Sequence, residues 1–308
     1  MVDFRIHGQW ARIHLFSVLV MQQFLQKIGL FFGGILLIVG GNTLLNYYFI
    51  QQTPIPLKSS RLLFMGDSHI RLGINPTLLP SAQNIAQQAE PYVLTFWKLK
   101  KLYSTVRPDT LLLGFGPQNI TSYNDDKFGT HSFAPEMFRR SYTFENFKSL
   151  QSIDVDYKGY YRIFFQQMVL YPHRAHFDYI GSYLKIKTSN LRQVDKVLER
   201  HFFDEGKVQG ISITAIAHLD SILQFCQQKK IVPILINMPV YPTYYEGIPV
   251  AIKERYELEK NRLIKQGIRI IDGAQITYPD HFYGDVDHLN GKGAKRFTKN
   301  LAKILSKY

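Results

Sequence analysis

The sequence predicts a three-layer α/β domain with a mainly parallel five-stranded sheet, preceded by a transmembrane helix and interrupted by a largely helical insertion. Three observations lead there. Short apolar runs recur at Leu62–Met65, Ala82–Ala86, Thr110–Phe115, Ile231–Met238 and Ile268–Ile271, each suited to a buried parallel strand. Helix-like stretches alternate with them at Pro91–Thr105, Ile211–Lys229, Val250–Lys265 and Gly291–Ser306. Near the N-terminus, Ile28 to Ile50 runs for 23 positions without a charge.

That run matches the roughly 20 residues a helix needs to cross the hydrocarbon core of a bilayer. Its glycines weaken a helix in water but are frequent in membrane helices, and Tyr47, Tyr48 and Phe49 stand at one end, where aromatic rings favour the interface. The stretch exceeds the apolar core of a signal peptide, and Asn46–Phe49 offers no A-x-A-like cleavage site. An uncleaved signal anchor follows, single-pass in the cell membrane. Arg5, Arg12 and Lys27 precede it and Lys58 and Arg61 follow, so charge leaves the orientation open. The domain beyond it is expected on the extracytoplasmic side. The reading frame starts at Met1 or Met21. Residues 1–27 then read as a cytoplasmic segment and 28–50 as the anchor. Residues 51–59 form a linker stiffened by Pro54 and Pro56, and 60–308 form the α/β domain.

Between residues 120 and 210 the alternation stops and no clear strand is visible. Aromatic residues crowd there: Phe128, Phe133, Phe138, Tyr142, Phe144, Tyr160, Tyr161, Phe164 and Phe165. This insertion either folds over the C-terminal edge of the sheet, where α/β domains bind ligands, or packs a small core of its own.

With 308 residues and 45% of them hydrophobic, the chain has the apolar material for a proper core, which excludes a disordered protein. The single cysteine, Cys226, excludes a disulfide framework and a cysteine zinc cluster, and its neighbours Ile222, Leu223 and Phe225 place it in a core. Lys and Arg exceed Asp and Glu by 37 to 24, a net +13. These charges are dispersed, with no Arg-rich arm, zinc finger or RNP motif, so no nucleic-acid partner is expected. A basic surface facing anionic lipid or glycan accounts for them.

Gly66-Asp67-Ser68-His69 follows the first strand directly. A Ser at a strand-to-helix turn exposes its hydroxyl above the sheet, beside backbone N–H groups able to bind an oxyanion. Taken alone, the same Ser reads better as a helix cap, and the Asp285-x-x-His288 stretch tips it toward nucleophile. Asp285-Val286-Asp287-His288-Leu289-Asn290 precedes the last helix. Asp285 and His288 are three apart, so one turn of chain sets the carboxylate against the imidazole. The carboxylate fixes the tautomer and supports the imidazolium formed when His288 takes a proton from Ser68. Together these are the parts of a Ser-His-Asp nucleophilic site, which needs no metal or organic cofactor. Asp287 reads as a solvated neighbour, with competition for His288 as the alternative. His69 is a substrate contact or a helix-surface residue. His173 and His176 lack a further ligand at metal-binding spacing and read as a surface loop. In Pro239–Tyr245, after the fourth strand, Tyr241 and Tyr244 either stack on sugar rings or pack a rigid loop against the insertion.

These residues resemble the blocks of the SGNH (GDSL-like) hydrolase and acyltransferase superfamily. Its first block looks like Gly66-Asp67-Ser68 and its last like Asp285-x-x-His288; Asn84 to Ala89 has the spacing of the second, and Gly116-Pro117-Gln118-Asn119 approximates the third. The resemblance runs in order through residues 60–308. It implies a flavodoxin-like three-layer fold, Ser68 as nucleophile, and an oxyanion hole from the N–H groups of Ser68 and Ala89 with the side chain of Asn119 or Gln118. Two blocks depart from the pattern. Ala89 replaces the family's Gly, which works unless the position needs positive φ. Asn119 comes one residue late, with Ile120 where the family has Asp.

An N-terminal span followed by such a domain is similar to proteins of teichoic-acid D-alanylation and alginate O-acetylation. That likeness implies an esterase or O-acyltransferase acting on acyl esters, acetyl foremost, of a cell-surface polysaccharide. Its implied partners are the lipid bilayer and a membrane-bound O-acyltransferase. The departures keep a second reading open: a catalytically idle module that binds an anionic surface polymer or a membrane acyltransferase.

Overall fold

The computed structural model of the chain describes residues 4–129, 132–143, 147–170, 177–187 and 189–306; Phe144, His173 and His176 lie outside them. Contacts divide the chain into two units, Met1–Thr53 with Phe164–Ala175, and Pro54–Ile163 with His176–Tyr308.

In the first unit a single helix, α1, runs from Phe4 to Gln52. Helix therefore continues through the residues read as a cytoplasmic segment and into the linker. The apolar stretch Phe16–Gln52 has a mean hydropathy of 2.0 and is exposed over most of its length, which is the length and composition of a membrane span or signal sequence.

In the second unit the five apolar runs form strands β1 (Leu62–Met65), β2 (Ala82–Asn84), β3 (Thr110–Gly114), β4 (Val232–Asn237) and β5 (Arg269–Asp272). All pair in parallel, in the spatial order β2-β1-β3-β4-β5. The strands read as continuous apolar runs because both faces are covered. Leu63, Met65, Leu111, Leu113 and Leu235 point to one face. There they meet Leu99 and Leu102 of α3 (Tyr92–Val106) and Leu219, Ile222 and Cys226 of α5 (Ile213–Lys229). The alternate residues Phe64, Leu112, Ile234 and Ile236 face Ile70 of α2 (Ser68–Gly73) and Phe297 and Leu301 of α8 (Gly291–Leu305). Burial pushes the Cys226 thiol up to about 12, as befits an inert core residue.

The order of the strands reverses between β1 and β3, so the crevice outside their C-terminal ends is the switch point where such sheets bind ligands. The stem of the insertion springs from that edge and is closed by an antiparallel bridge between Thr121 and Ile211. The insertion has its own aromatic spine. Trp97 of α3 meets Phe128 at 5.4 Å, Phe128 meets Phe138 at 6.1 Å, and Phe138 meets Tyr160 at 5.5 Å between ring centres. After α4 (Val194–Phe202) comes a two-residue antiparallel ladder, Phe203–Asp204 with Lys207–Val208, where no strand was expected. Its length, below that of any periodic signal, explains why. The Pro-rich stretch after β4 is in part a helix, α6 (Pro242–Gly247), with proline at its start, followed by α7 (Val250–Lys265).

Gly66 is the hinge between β1 and α2. Its φ is +130°, and an added Cβ would stand 3.1 Å from the Gly114 nitrogen and 3.3 Å from the Gly114 Cα. Gly66→Ala is expected to destabilise the fold by about 1–3 kcal/mol, read as a lower urea midpoint at unchanged slope. Gly206→Ala, at φ +76° with open space around it, loses only about 1 kcal/mol.

Candidate active site

Asp67 caps α2 from an extended conformation, and its carboxylate accepts the His69 N–H at 3.0 Å. Ser68 is thereby the first residue of the helix, its hydroxyl above the sheet edge. Across the crevice, Asp285 Oδ1 accepts the N–H groups of Asp287 at 3.1 Å and His288 at 2.8 Å, which folds this stretch into a tight turn. Asn290 fixes the turn to α8: its oxygen accepts from Lys292 and Gly293, and its amide donates to the His281 and Tyr283 carbonyls. Glycine is required at 293, because an added Cβ would lie 2.3 Å from the Phe282 carbonyl oxygen.

The two turns bring three side chains into line. His288 Nδ1 lies 2.8 and 3.0 Å from the Asp285 carboxylate oxygens, and Nε2 lies 2.7 Å from Ser68 Oγ. The carboxylate only accepts, so Nδ1 carries a proton and donates it; in the neutral imidazole this leaves Nε2 to accept the serine hydroxyl. Burial pushes His288 down, but Asp287 and Asp285 outweigh it and raise the imidazole to about 9. Burial likewise opposes ionisation of Asp285, yet its bond to His288 and the imidazolium charge hold it below the usual carboxylate range.

Asp287 is a buried residue, 2% exposed, not the solvated neighbour the sequence suggests. Its Oδ1 is 3.4 Å from His288 Nδ1 and its Oδ2 is 3.7 Å from His69 Nε2. Burial, helped by Asp285, pushes it up. His69 is also buried rather than on the helix surface. Its ring centre stands 4.9 Å from that of His288 beside the cleft, and burial pushes its pKa down. His69, Asp287 and His288 place ligand atoms within 4.8 Å of one another, a donor set able to hold a metal ion. Both His288 nitrogens already engage Asp285 and Ser68, so an ion there would have to displace one of these two contacts.

Ala89 has φ +55°, so this position does need the left-handed backbone that favours glycine. Its neighbours hold it there. Gln87 N–H donates to the Gly66 carbonyl at 3.0 Å, Arg140 donates to the Gln88 carbonyl at 2.9 Å, and the buried Glu90 meets Lys98 at 2.5 Å. Asn84 is structural: its amide donates to the Ile70 and Ile74 carbonyls and ties β2 to α2. Asn119 Oδ1 accepts the Gly116 N–H at 2.7 Å, and its Nδ2 donates to Asp67 at 2.7 Å, leaving one amide hydrogen for another acceptor. Gln118 Nε2 lies 3.3 Å from both Asp67 Oδ2 and Asn119 Oδ1, so both its hydrogens are engaged. Of the two amides, Asn119 is the one able to meet an oxyanion.

Ser68, His69, Ala89, Gln118, Asn119 and His288 line one cleft with Asp67 and Gln88, and the insertion completes its wall with Tyr123, Asn124, Lys127, Phe133, Arg200 and His201. The room for centres of water-sized molecules is about 40 Å³. Lys127 is buried, and burial lowers its ammonium to about 7 although Asp67 opposes the shift. It donates to Asn124 Oδ1 at 2.8 Å and sits 4.3 Å above the Tyr123 ring. No motif marks these residues, and sequence reasoning missed all of them except through the density of aromatic residues around them. Tyr241 and Tyr244 stay outside the cleft. The Tyr244 hydroxyl, buried behind the wall, meets His201 Nδ1 at 2.8 Å. Tyr241 packs its ring 5.3 Å from that of Tyr283 and donates its N–H to the Val286 carbonyl, bracing the His288 turn. The loop thus packs Tyr244 against the insertion and Tyr241 against Tyr283.

No protein-family model and no curated protein sequence matches the chain. Solved structures of similar chain trace are acylhydrolases. A GDSL-like lipase from Bacteroides thetaiotaomicron is 11% identical over 86% of this chain and 98% of its own, with a TM-score of 0.42. A lipase/acylhydrolase from Enterococcus faecalis is 13% identical over 80% and 95%, with a TM-score of 0.36. The acetylxylan esterase Axe2 from Geobacillus stearothermophilus is 12% identical over 81% and 95%, with a TM-score of 0.34. The chemistry assigned below therefore rests on the site geometry and not on these likenesses.

Two predictions follow from the geometry. Ala89→Gly relieves the left-handed strain and is expected to raise stability by about 1 kcal/mol in thermal or urea unfolding. The second concerns pH. His288, raised to about 9, contributes stability that is complete below its unfolded pKa of about 6.5 and lost as pH climbs through about 9. Lys127, lowered to about 7, acts in the opposite sense from there to its unfolded value of about 10.4. The difference in unfolding free energy between wild type and His288→Asn isolates the first effect, and it is expected to shrink from pH 6.5 to 9.

Proposed function

We propose that this chain is a membrane-anchored serine esterase or O-acyltransferase that forms an acyl-enzyme on Ser68. Its substrates are short acyl esters, acetyl foremost, of a cell-surface polysaccharide. The single observation that carries the reaction class is the line Asp285–His288–Ser68, with contacts of 2.8 and 2.7 Å.

Ser68 Oγ attacks the acyl carbonyl carbon as His288 Nε2 takes the hydroxyl proton. Asp285 holds Nδ1–H and balances the imidazolium. The carbonyl oxygen becomes an oxyanion facing the N–H groups of Ser68 and Ala89 and the remaining amide hydrogen of Asn119. As the tetrahedral adduct collapses, the ester C–O bond breaks and Nε2–H protonates the departing alcohol. Water or a sugar hydroxyl then attacks the acyl-enzyme, gives its proton to His288, and Ser68 leaves with that proton. Water as acceptor gives deacylation; a hydroxyl gives transfer. The narrow cleft favours a short acyl group, and α1 supports a place at the membrane. A cell-surface substrate would require the domain to lie outside the cytoplasm. A membrane-bound O-acyltransferase is the partner that would supply acyl groups for transfer.

Two observations favour the alternative, an idle module that binds polymer or partner: Ala89 is strained, and Asn119 spends one hydrogen on Asp67. The raised His288 adds a third constraint, because imidazolium is the form that cannot accept the serine proton at neutral pH.

Full-length protein in nanodiscs, treated with a fluorophosphonate and read by intact mass, is expected to take one label on Ser68. The rate should climb with pH toward 9, vanish in Ser68→Ala, and fall about 10²–10³-fold in Asn119→Ala. Acetyl esters should be cleaved faster than hexanoyl esters. Folded wild type that takes no label at pH 9 would overturn the acyl-enzyme and leave the binding module.

A further inference from the structure

We infer that Phe164–Leu170, a piece of the insertion, lies in the bilayer against α1 and gives the protein a second attachment to the membrane. The inference rests on reading α1 as a membrane anchor.

The segment includes a short π-helical turn, Gln166–Leu170, that packs along α1. A chain that breaks from α-helix leaves carbonyls without intrahelical partners. Water satisfies such groups at no special expense, whereas in lipid each needs a protein donor. Here two donors are provided. Asn42 Nδ2 donates to the Val169 carbonyl at 2.6 Å, and Asn46 Nδ2 donates to the Met168 carbonyl at 2.9 Å. Asn42 and Asn46 are four apart and share one face of α1. They are polar side chains inside the charge-free stretch of α1, where an amide is costly unless bonded. Each pair solves the other's problem, and a setting without water makes it acute.

The outward surface agrees. Phe165 and Leu170 expose about half of their area, and around them α1 exposes Leu36, Leu37, Leu44 and Leu45. From Ile163 to Pro172 the sequence holds no charged residue, while Arg162 and Arg174 bracket it and Tyr160, Tyr161 and Tyr171 sit near its ends. Aromatic and basic residues flanking an apolar run mark a membrane interface. At about 1.5 Å of rise per residue, Asn46 and Asn42 lie roughly 6 and 12 Å below Ile50. Those depths stay within one leaflet, about 15 Å of hydrocarbon, which a short re-entrant segment can reach without crossing.

The test places the fluorophore NBD on single cysteines in full-length protein in phosphatidylcholine nanodiscs, with Cys226→Ala as background. Doxyl-labelled phosphatidylcholine is the quencher. Leu170→Cys and, as an independent position, Phe165→Cys should give blue-shifted emission quenched at least twofold, like Leu37→Cys on α1. Val208→Cys, exposed on the insertion's ladder, should stay unquenched. Asn42→Leu combined with Asn46→Leu should lower quenching at 170 and leave it intact at 37. Solvent-like emission at both 165 and 170 with Leu37 quenched would overturn the second attachment while the anchor stands. No quenching at 37 would sink the anchor reading itself and the inference with it.

Discussion

The candidate site at the sheet edge depends on one buried carboxylate, Asp67. It accepts the His69 N–H to start α2, and it accepts the side-chain amides of Asn119 and Gln118 from the end of β3. A single group thus ties the two strand ends that flank the switch point, and so sets Ser68 relative to Asn119. Burial penalises its charge, but His69, the two amides and Lys127 outweigh that penalty and hold it below the usual carboxylate range. The position of Lys127 on the insertion makes the same carboxylate an electrostatic link between the sheet and the cleft wall.

The other half of the site is built from a stretch of chain too short to fail independently. Asp285 receives two backbone N–H groups and the imidazole N–H, so the turn that places the histidine is made by the residue that orients it. Asn290 and Gly293 anchor that turn to α8, one by hydrogen bonds and the other by leaving room for the Phe282 carbonyl. The buried Asp287 adds a second negative charge behind His288. The consequence is an imidazole that prefers its protonated form.

The insertion does two things at once. Its aromatic spine packs on Trp97 of α3, and its polar residues from Tyr123 to Lys127, with Arg200 and His201, close the cleft that the sheet edge leaves open. Tyr244 reaches the site only by holding His201 from behind. The cleft is therefore built from two parts: the sheet edge supplies Ser68, Asn119 and His288, and the insertion sets the room around them.

What was legible in the sequence was local. The strand runs, the helix-starting Gly-Asp-Ser turn and the Asp-x-x-His spacing are short-range patterns, because alternation of buried faces and a turn's reach are set by neighbouring residues. The apolar length of α1 is legible for the same reason. Tertiary structure alone decided that Ala89 takes a left-handed conformation, that Gln118 has no hydrogen to spare, and that His69 and Asp287 are buried beside each other. It also decided that Lys127 stands in the cleft and that Asn42 and Asn46 meet carbonyls more than 100 residues away. Those outcomes depend on which distant segment fills the space beside a residue, and burial, hydrogen-bond supply and local charge are properties of that space and not of the residue's own neighbours in sequence.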